Sequence, residues 1–306
     1  MSADHRKNLL FKALTCLAAV SVLGIVVGIL AVILMESFPA LKHFGIGAFL
    51  GGRDWNYTRE IYGALRPLTG TVVSTGIALL AAVPLSLGTA VFLTEICPHR
   101  LRGAFGAAIE LLAAIPSIIY GMWGLFVLAP FLDEWVQPAV GSALGGVPLI
   151  GSFFVTKSAG GVNLFSASLV LAVMIIPFIT SIARDAFEQV PDVLKESSYA
   201  LGATRWETVR KVVSAQSASA VGGGVIIAMG RALGETMAVA YVIGNRHASL
   251  DSLFSPYTTI TSVIANEFNE AGGIQLSSLF TLALVLFIAN FLALGVGRRL
   301  VKGKEK

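Results

Sequence analysis

The sequence predicts an all-α, polytopic membrane protein with six transmembrane helices, and three observations support this fold class. Charged residues make up only 13% of the 306 residues, whereas a typical soluble domain has roughly 25%. Apolar residues make up 55% of the chain, which is more than one soluble core of this length can bury. Six apolar runs are long enough to cross a bilayer, which takes about 20 residues. The composition excludes an ordinary soluble globule and a disordered chain.

The six apolar runs define the predicted spans. Four of them carry no charged residue: Ala13–Met35, Leu68–Leu93, Val162–Ala183 and Ile274–Val296. The third run, Ala104–Leu132, contains Glu110, and the fifth run, Ser217–Ile243, contains Arg231 and Glu235. Lipid offers no hydrogen-bond partners, so the backbone groups of each run must be satisfied within the segment. We therefore expect every run to be a helix.

The distribution of Lys and Arg predicts the orientation of the chain. With the N-terminus inside, fifteen of the 22 basic residues lie in inner segments, six lie in outer segments, and Arg231 lies within a span. Basic residues favour the cytoplasmic side, so both termini are predicted to be cytoplasmic. The outer loops are then 36–67, 133–161 and 244–273. Because the positive charge follows the topology, we expect membrane lipid around this chain and no nucleic acid.

The cytoplasmic loop 184–216 is predicted to contain two short helices. Pro191 suits the first turn of a helix, where its missing N–H is not needed, and Gly202 suits the left-handed residue that ends one. Thr204, with Glu207 three residues later, is typical of a capping box that starts a second helix. Four residues recur on one face of the first helix: Val193, Leu194, Ser197 and Leu201. The loop is either a structured connector or a helix that docks into a partner protein.

Span five carries two opposite charges near its middle. A charge at the membrane centre costs at least about 2.5–3.5 kcal/mol, so Arg231 needs a physical reason to be there. Glu235 is four residues away, and on one continuous helix the two side chains would share a face and offset each other. The pair either lets the helix insert or lines a pathway. Because a guanidinium matches phosphate and carboxylate oxygens, the pathway hypothesis favours an anion.

The remaining motifs are less specific. Glu110, about two turns into span three, either serves the pathway or reaches the membrane interface with its side chain. Pro84, Pro116 and Pro177 lie within spans and predict kinks. The two cysteines and four histidines lack the spacing of a metal site, and the sequence contains no recognisable nucleophile–base set. An intramembrane enzyme is therefore disfavoured.

The segment "ESSYALG", Glu196 to Gly202, resembles the E-A-A-x-x-x-G element of ABC importer permease subunits. The resemblance implies a type I ABC importer (MetI-like) fold, with residues 68–306 as the transmembrane core and residues 1–67 as an added helix and outer loop. It also implies that loop 184–216 couples to an ATPase subunit. Seven residues would contribute to this coupling: Val193, Leu194, Glu196, Ser197, Ser198, Leu201 and Gly202. The family's later Leu-Pro is replaced here by Ser214 and Ala215.

The segment "GRALGETMAV", Gly230 to Val239, is similar to the signature of PstC-type permeases of bacterial phosphate importers. In that family the Arg and Glu of the signature are implicated in phosphate passage, and they match Arg231 and Glu235. The resemblance implies a bacterial inner-membrane complex with a PstA-like permease, two ATPase subunits and an extracytoplasmic phosphate-binding protein. The ATPase subunits would hold ATP and magnesium, so no cofactor is expected on this chain.

Two alternatives remain open from the sequence. One is a permease for another oxyanion, such as sulfate or molybdate, because a buried Arg alone cannot select among oxyanions. The other is a stand-alone secondary anion carrier, which would transport without any ATPase chain. Inverted internal repeats would favour such a carrier, and none is recognised in the sequence.

Overall fold

The computed structural model describes residues 3–147, 151–155 and 160–302. The outer loop predicted at 133–161 therefore lies partly outside the described residues, at 148–150 and 156–159. The helices are α1 (Ala3–Phe44), α2 (Ile46–Gly51), α3 (Leu65–Val91), α4 (His99–Ala113), α5 (Ser117–Trp123), α6 (Ala129–Phe131), α7 (Gln137–Leu144), α8 (Leu164–Glu188), α9 (Asp192–Ala200), α10 (Arg205–Thr208), α11 (Ser214–Leu233), α12 (Met237–Val242), α13 (Ile260–Glu267) and α14 (Gly273–Lys302).

Short elements complete the chain. Strands β1 (Trp55–Asn56) and β2 (Ile61–Tyr62) form an antiparallel hairpin in which Trp55 faces Tyr62. A 3-10 turn covers Gly151–Phe154. Wider π-type turns occur at Phe92–Ile96, Gly124–Leu128, Leu132–Val136 and Val209–Val213. The last of these joins α10 to α11 without interrupting the helix.

Five helical segments of the described chain are long and apolar enough to cross a membrane. They are Leu10–Phe44, Leu65–Ile96, Leu164–Glu188, Arg205–Leu233 and Gly273–Arg299. The bent pair formed by α4 and Ser117–Leu144 makes a sixth if it is counted as one span. The predicted all-α membrane fold is thus confirmed, with the small hairpin as an addition.

Helix α8 lies at the centre of the bundle and α1 lies at its edge. In the most apolar window of α8, 61% of residues are buried, whereas none are buried in the corresponding window of α1. A helix that is apolar all round and unburied by its own chain faces lipid or another membrane subunit. Polar contacts attach α1 to α14, because the Ser277 hydroxyl donates to the carbonyl oxygen of Glu36 at 2.8 Å.

Span three, predicted as the helix Ala104–Leu132 with a kink at Pro116, is broken into two helical segments. The chain leaves the helix after Ala113 and turns by 89° before Ser117. Pro116 accounts for the break, because it lacks an N–H and disfavours the helical conformation of the residue before it. Helix α4 therefore runs across the direction of Ser117–Leu144. Glu110 lies on α4 and not two turns into the membrane-crossing segment.

Span five also differs from its prediction, Ser217–Ile243. The helix begins earlier, at Arg205, and ends at Leu233. Residues 234–236 are not helical, and α12 follows. Gly234 weakens the helix at this point, and the hydroxyl of Thr261 on α13 donates to the carbonyl oxygen of Glu235 at 2.7 Å. A partner from another element thus takes the place of an intrahelical hydrogen bond.

Helix α13 returns into the bundle between α3 and α14, at the ends of these helices that are predicted to be outer. Its first residue, Ile260, donates its N–H to the Thr71 hydroxyl of α3 at 3.0 Å. The approach requires glycine at position 70, because a Cβ there would overlap the carbonyl oxygen of Thr258. These contacts fix the position of α13, and with it the position of Thr261, which binds the non-helical backbone of span five.

Four side chains from separate segments meet at the predicted outer face, and we call them the outer cluster: Trp55, His247, Glu267 and Gln275. The Glu267 carboxylate accepts hydrogen bonds from Trp55 Nε1 at 2.8 Å and from Gln275 Nε2 at 3.0 Å. His247 Nε2 lies 3.2 Å from the same carboxylate. The outer cluster joins the hairpin, the segment after α12, α13 and α14.

Candidate functional site

The first part of the candidate site is the broken helix in span five. Arg231 lies in the last turn of α11, and its side chain is exposed on this chain. The guanidinium carbon lies 5.9 Å from the centroid of the Phe178 ring on α8, a distance that permits a cation–π contact. The face of the Phe178 ring attracts the guanidinium charge of Arg231, and this contact does not use the N–H donors of the guanidinium.

Glu235 lies within the break and is half-buried. Its Oε1 accepts a hydrogen bond from the N–H of Ala238, in the first turn of α12, at 3.2 Å. Its other carboxylate oxygen has no hydrogen-bond partner among the described residues. Arg231 and Glu235 form no ion pair with each other in this part of the chain. The predicted pairing on one helix face is wrong, because the helix that would align them ends at Leu233.

Each of the two charges lies instead at a favourable helix end. The negative end of the helix dipole of α11 stabilises Arg231, and the positive end of α12 stabilises Glu235. Neither side chain needs the other for compensation, so the donors of Arg231 stay available to an external oxyanion. Irregular backbone at membrane depth is tolerated only where it is buried in protein or lines a cavity, and broken helices form the substrate sites of many transporters.

A small cavity of about 240 Å³ lies between α12 and α13, beside this break. It is lined by Met237, Ala240, Tyr241, Ala265 and Asn266. The cavity offers a tyrosine and an asparagine as polar groups on an otherwise apolar wall. Its lining includes Met237, two residues after Glu235.

Glu110, the third predicted pathway residue, lies in a different environment. Its carboxylate pairs with Arg184 of α8 at 3.0 Å, and its side chain is 59% exposed. Arg184 also contacts Asp185 at 3.1 Å. The structure therefore pairs Glu110 with Arg184 and not with Arg231 or Glu235. This ion pair, in which the Arg184 side chain is only 20% exposed, joins α4 to α8.

The second part of the candidate site is the loop 184–216, which is predicted to be cytoplasmic. Its two short helices and their caps are confirmed, but Pro191, predicted in the first turn, lies one residue before the helix. Helix α9 begins at Asp192, directly after Pro191, and Gly202 beyond its end has φ of +84°. The Thr204 hydroxyl accepts from the N–H of Glu207 at 3.3 Å, and Glu207 Oε2 accepts from the N–H of Thr204 at 2.9 Å. These hydrogen bonds form the predicted capping box.

Apolar side chains project outward from this loop. Helix α9 has no buried residue, and Val193, Leu194 and Leu201 are 70%, 42% and 90% exposed. Trp206, on α10, is 69% exposed and was not predicted as part of the site. The sequence places Trp206 between the two residues of the capping box, Thr204 and Glu207, but it does not show whether the indole points toward the protein or away from it. These four exposed apolar residues, Val193, Leu194, Leu201 and Trp206, are called the docking face because they match the helix predicted to dock into a partner protein.

Two residues of α9 face back toward their own chain. Lys195 Nζ lies 2.7 Å from Glu95 Oε1 in the π-type turn after α3. The Ser198 hydroxyl lies 3.0 Å from that of Thr208 on α10. Ser198, predicted with the coupling residues, is half-buried, whereas Glu196 and Ser197 are exposed. Sequence reasoning missed Lys195 and Glu95, because 100 residues separate them along the chain.

Among the described residues, no group of three or more His, Cys, Asp or Glu side chains is arranged to hold a metal ion. The chemistry available at the two parts of the site is therefore that of a guanidinium, a carboxylate, hydroxyl groups and an apolar docking face.

Comparison with known proteins places this geometry in a family. A sequence profile described as "Binding-protein-dependent transport system inner membrane component" matches residues 82–304. A phosphate transport system permease protein PstC from Mesorhizobium japonicum is 50% identical over 290 residues, covering 94% of this chain and 88% of that protein. This chain belongs to the PstC family of binding-protein-dependent transport permeases. It is a membrane subunit of an ABC importer.

Other PstC proteins share the whole length of the chain. The PstC of Pasteurella multocida is 47% identical over 99% of this chain and 94% of its own length. A probable PstC from Methanocaldococcus jannaschii is 36% identical over 94% of this chain and 91% of that protein. The PstC family thus includes relatives that match both the N-terminal helix and the core of this chain.

A solved structure supports the fold of the PstC-family chain. A bacterial ABC transporter involved in the import of the acidic polysaccharide alginate aligns with a TM-score of 0.66, covering 99% of this chain and 98% of that chain at 14% identity. The same kind of transporter, in complex with an alginate-bound periplasmic protein, aligns with a TM-score of 0.63 and 15% identity. The MetI-like importer fold predicted from the sequence is confirmed.

Proposed function

We propose that this chain forms one half of the translocation pathway of an ATP-driven phosphate importer in the bacterial inner membrane. A PstA-like permease would form the other half, with both termini of this chain in the cytoplasm. An extracytoplasmic phosphate-binding protein would deliver the anion, and a dimer of ATPase subunits would hold ATP and magnesium. The chain itself would need no cofactor.

The observation that carries the proposal is the break between α11 and α12. It leaves the Arg231 guanidinium exposed, unpaired by Glu235, and backed by the Phe178 ring at 5.9 Å. A guanidinium offers a planar fork of donors that matches two phosphate oxygens. One such group attracts an oxyanion but does not trap it, and transport requires that binding be weak enough for release.

Glu235 supports phosphate over sulfate as the anion. Its free carboxylate oxygen can accept a hydrogen bond from the hydroxyl group that phosphate keeps near neutral pH. Sulfate carries no such proton, so the same carboxylate would repel it. A site that presents one donor fork and one carboxylate thereby discriminates between two anions of similar size and shape.

The cytoplasmic loop supplies the connection to ATP. An exposed apolar docking face on a short, capped helix suits a groove in a partner subunit. In the proposed cycle, closure of the ATPase dimer displaces α9, and the spans attached to it change the side on which the pathway is open. ATP binding would thus alternate access to Arg231 from outside and inside.

The Arg231 variants test this function directly. We expect Arg231→Gln to abolish ATP-dependent phosphate uptake in proteoliposomes that contain the full complex. We expect Arg231→Lys to retain partial uptake, because an ammonium keeps the charge but loses the fork. Arg59→Gln, at an exposed position of the outer loop, is the matched control and should transport normally. Normal uptake by Arg231→Gln would remove this residue from the pathway.

The same proteoliposomes separate the alternatives. Inhibition of labelled phosphate uptake by equimolar sulfate or molybdate would identify a permease for those oxyanions. Uptake by the permease subunits without any ATPase chain would identify a secondary carrier. The proposed importer requires both ATP and the ATPase subunits, and excess sulfate should leave its phosphate uptake unchanged.

A further inference from the structure

The ion pair between Lys195 and Glu95 is unusual in this molecule. Its atoms lie 2.7 Å apart, and the two side chains are only 15% and 10% exposed. The ion pair between Lys211 and Glu207, in the same loop, is longer at 3.6 Å and is 73% and 43% exposed. Within the described residues, the Lys195–Glu95 pair is the least exposed Lys–carboxylate contact.

Burial of such a pair needs an explanation other than stability. Removing two charges from water carries a desolvation penalty that the attraction between them offsets only with good geometry. An apolar pair of similar volume is often at least as stable. Retention of a buried ion pair is therefore better explained by what its charge and geometry specify, such as one defined arrangement of two elements.

The pair joins two elements that have little else in common. Glu95 lies in the π-type turn Phe92–Ile96, which continues α3 at its cytoplasmic end. Helix α9 buries no residue of its own, so apolar packing does not hold it against α3. Lys195 and Ser198 are the residues of α9 that are not exposed, and both make polar side-chain contacts with the rest of the chain.

The two contacts of α9 lead to different spans. Lys195 is connected to α3, the second span, through its ion pair with Glu95. Ser198 leads to α10 through Thr208, and α10 continues through the π-type turn Val209–Val213 into α11, whose last turn carries Arg231. Isolated π-type turns occur often at functional sites of helices, and here one lies on each route.

We propose that the Lys195–Glu95 ion pair is the positioning contact through which α9 moves span two during the transport cycle. The inference rests on the proposed function, because α9 must receive its movement from an ATPase subunit. The attraction between the two charges opposes the separation of α9 from α3. Because the two atoms must stay close, it also opposes movement of α9 along α3. Ser198 and Thr208 give the parallel connection to span five, so one helix displaces both spans together.

The test uses the complete complex in proteoliposomes and measures phosphate uptake and ATP hydrolysis in the same vesicles. The variants are Lys195→Met, Glu95→Gln and the charge exchange of Lys195→Glu with Glu95→Lys. The matched control is Lys211→Met, which breaks the exposed ion pair of the same loop. The melting temperature of each purified complex reports whether the subunits stay assembled.

We expect each single variant to lower the phosphate transported per ATP by about tenfold, a factor typical of the coupling between two sites. ATP hydrolysis and the melting temperature should change little, and the charge exchange should restore much of the ratio. Lys211→Met should behave as the unmodified complex. A purely structural contact would instead lower assembly, uptake and hydrolysis in proportion.

An unchanged ratio of phosphate to ATP in both single variants would overturn the inference. So would a proportional loss of assembly, uptake and hydrolysis that the charge exchange does not correct. Failure of the proposed function gives a different result, because then the unmodified complex itself shows no ATP-dependent phosphate uptake. The two failures are therefore distinguishable in one experiment.

Discussion

The two charges of the proposed transport site, Arg231 and Glu235, lie at helix ends and are not paired with each other within the described chain. Arg231 closes α11 and Glu235 precedes α12, so each lies where the dipole of its own helix favours its sign. The arrangement removes the usual reason for an intramembrane ion pair, which is mutual compensation. It leaves one donor fork and one carboxylate oxygen unoccupied within the described chain, and these are the groups that a partly protonated oxyanion can bind.

Glu235→Gln tests the role of that carboxylate in selectivity. An amide can donate a hydrogen bond to sulfate, so the variant should lose its preference for phosphate. We expect excess sulfate to inhibit phosphate uptake by the variant at least about tenfold more strongly, since a charge-assisted hydrogen bond contributes about 1.5–3 kcal/mol. The measurement is uptake of labelled phosphate against increasing sulfate.

The control for this experiment is Glu270→Gln, which neutralises an exposed carboxylate near the outer cluster. It should keep the selectivity of the unmodified complex. Equal insensitivity to sulfate in Glu235→Gln would contradict the proposed acceptor role and leave Glu235 as the residue that caps α12 through Ala238.

At the scale of elements, the sequence predicts those features of a helix that depend only on residues close to it along the chain. The cap at Gly202 and the capping box at Thr204 are local, and both are confirmed. Pro116 predicted a kink in span three, where the structure has a break of 89°, whereas the break in span five was not predicted. The break after Leu233 depends on the hydroxyl of Thr261, which only the tertiary fold brings to Glu235. Hydrophobic periodicity cannot report such a contact.

The docking face gives a prediction at this scale. Leu201→Ala and Trp206→Ala remove two exposed apolar groups, one directly after α9 and one on α10. Burial of such a side chain contributes about 1.5–3 kcal/mol. We expect each variant to weaken binding of the ATPase subunit by about tenfold or more, because each loses apolar area that the interface would bury, and tryptophan is among the residues that most often dominate interfaces. Binding of purified ATPase subunit to the permease in nanodiscs measures the effect.

An exposed leucine outside the docking face provides the comparison. Leu101, on α4, is 48% exposed, and Leu101→Ala should bind the ATPase subunit normally. If Leu201→Ala and Trp206→Ala also bind normally, the subunit docks elsewhere and α9 is a structural connector, the alternative that the sequence left open.

On the scale of the whole molecule, the two ends of the bundle are built differently. At the predicted outer end, Phe49, Trp55 and Tyr62 pack with α13 and α14 in an apolar core, beside the hydrogen bonds of the outer cluster. At the opposite end, predicted to be cytoplasmic, a smaller core contains Phe187 and Val213, and α9 is attached by polar contacts. Regions with few buried apolar contacts are the ones that move most readily, and α9, which has no buried residue, is the helix on which the ATPase subunit would act in the proposed cycle.

The outer cluster should make the stability of that end depend on pH. Glu267 lies in the predicted outer loop, and although burial raises its pKa, hydrogen bonds from His247, Trp55 and Gln275 lower it below the usual value of 4.5. A carboxyl group with a lowered pKa in the folded state stabilises the fold above its ordinary pKa and loses that contribution as the pH falls through the folded value.

We therefore expect the melting temperature of the unmodified chain to exceed that of Glu267→Gln at pH 7. The difference should shrink below pH 4.5, whereas Glu270→Gln should show no such convergence. A constant difference from pH 7 to pH 3 would mean that the Glu267 charge contributes nothing and that the outer end is held by its aromatic packing alone.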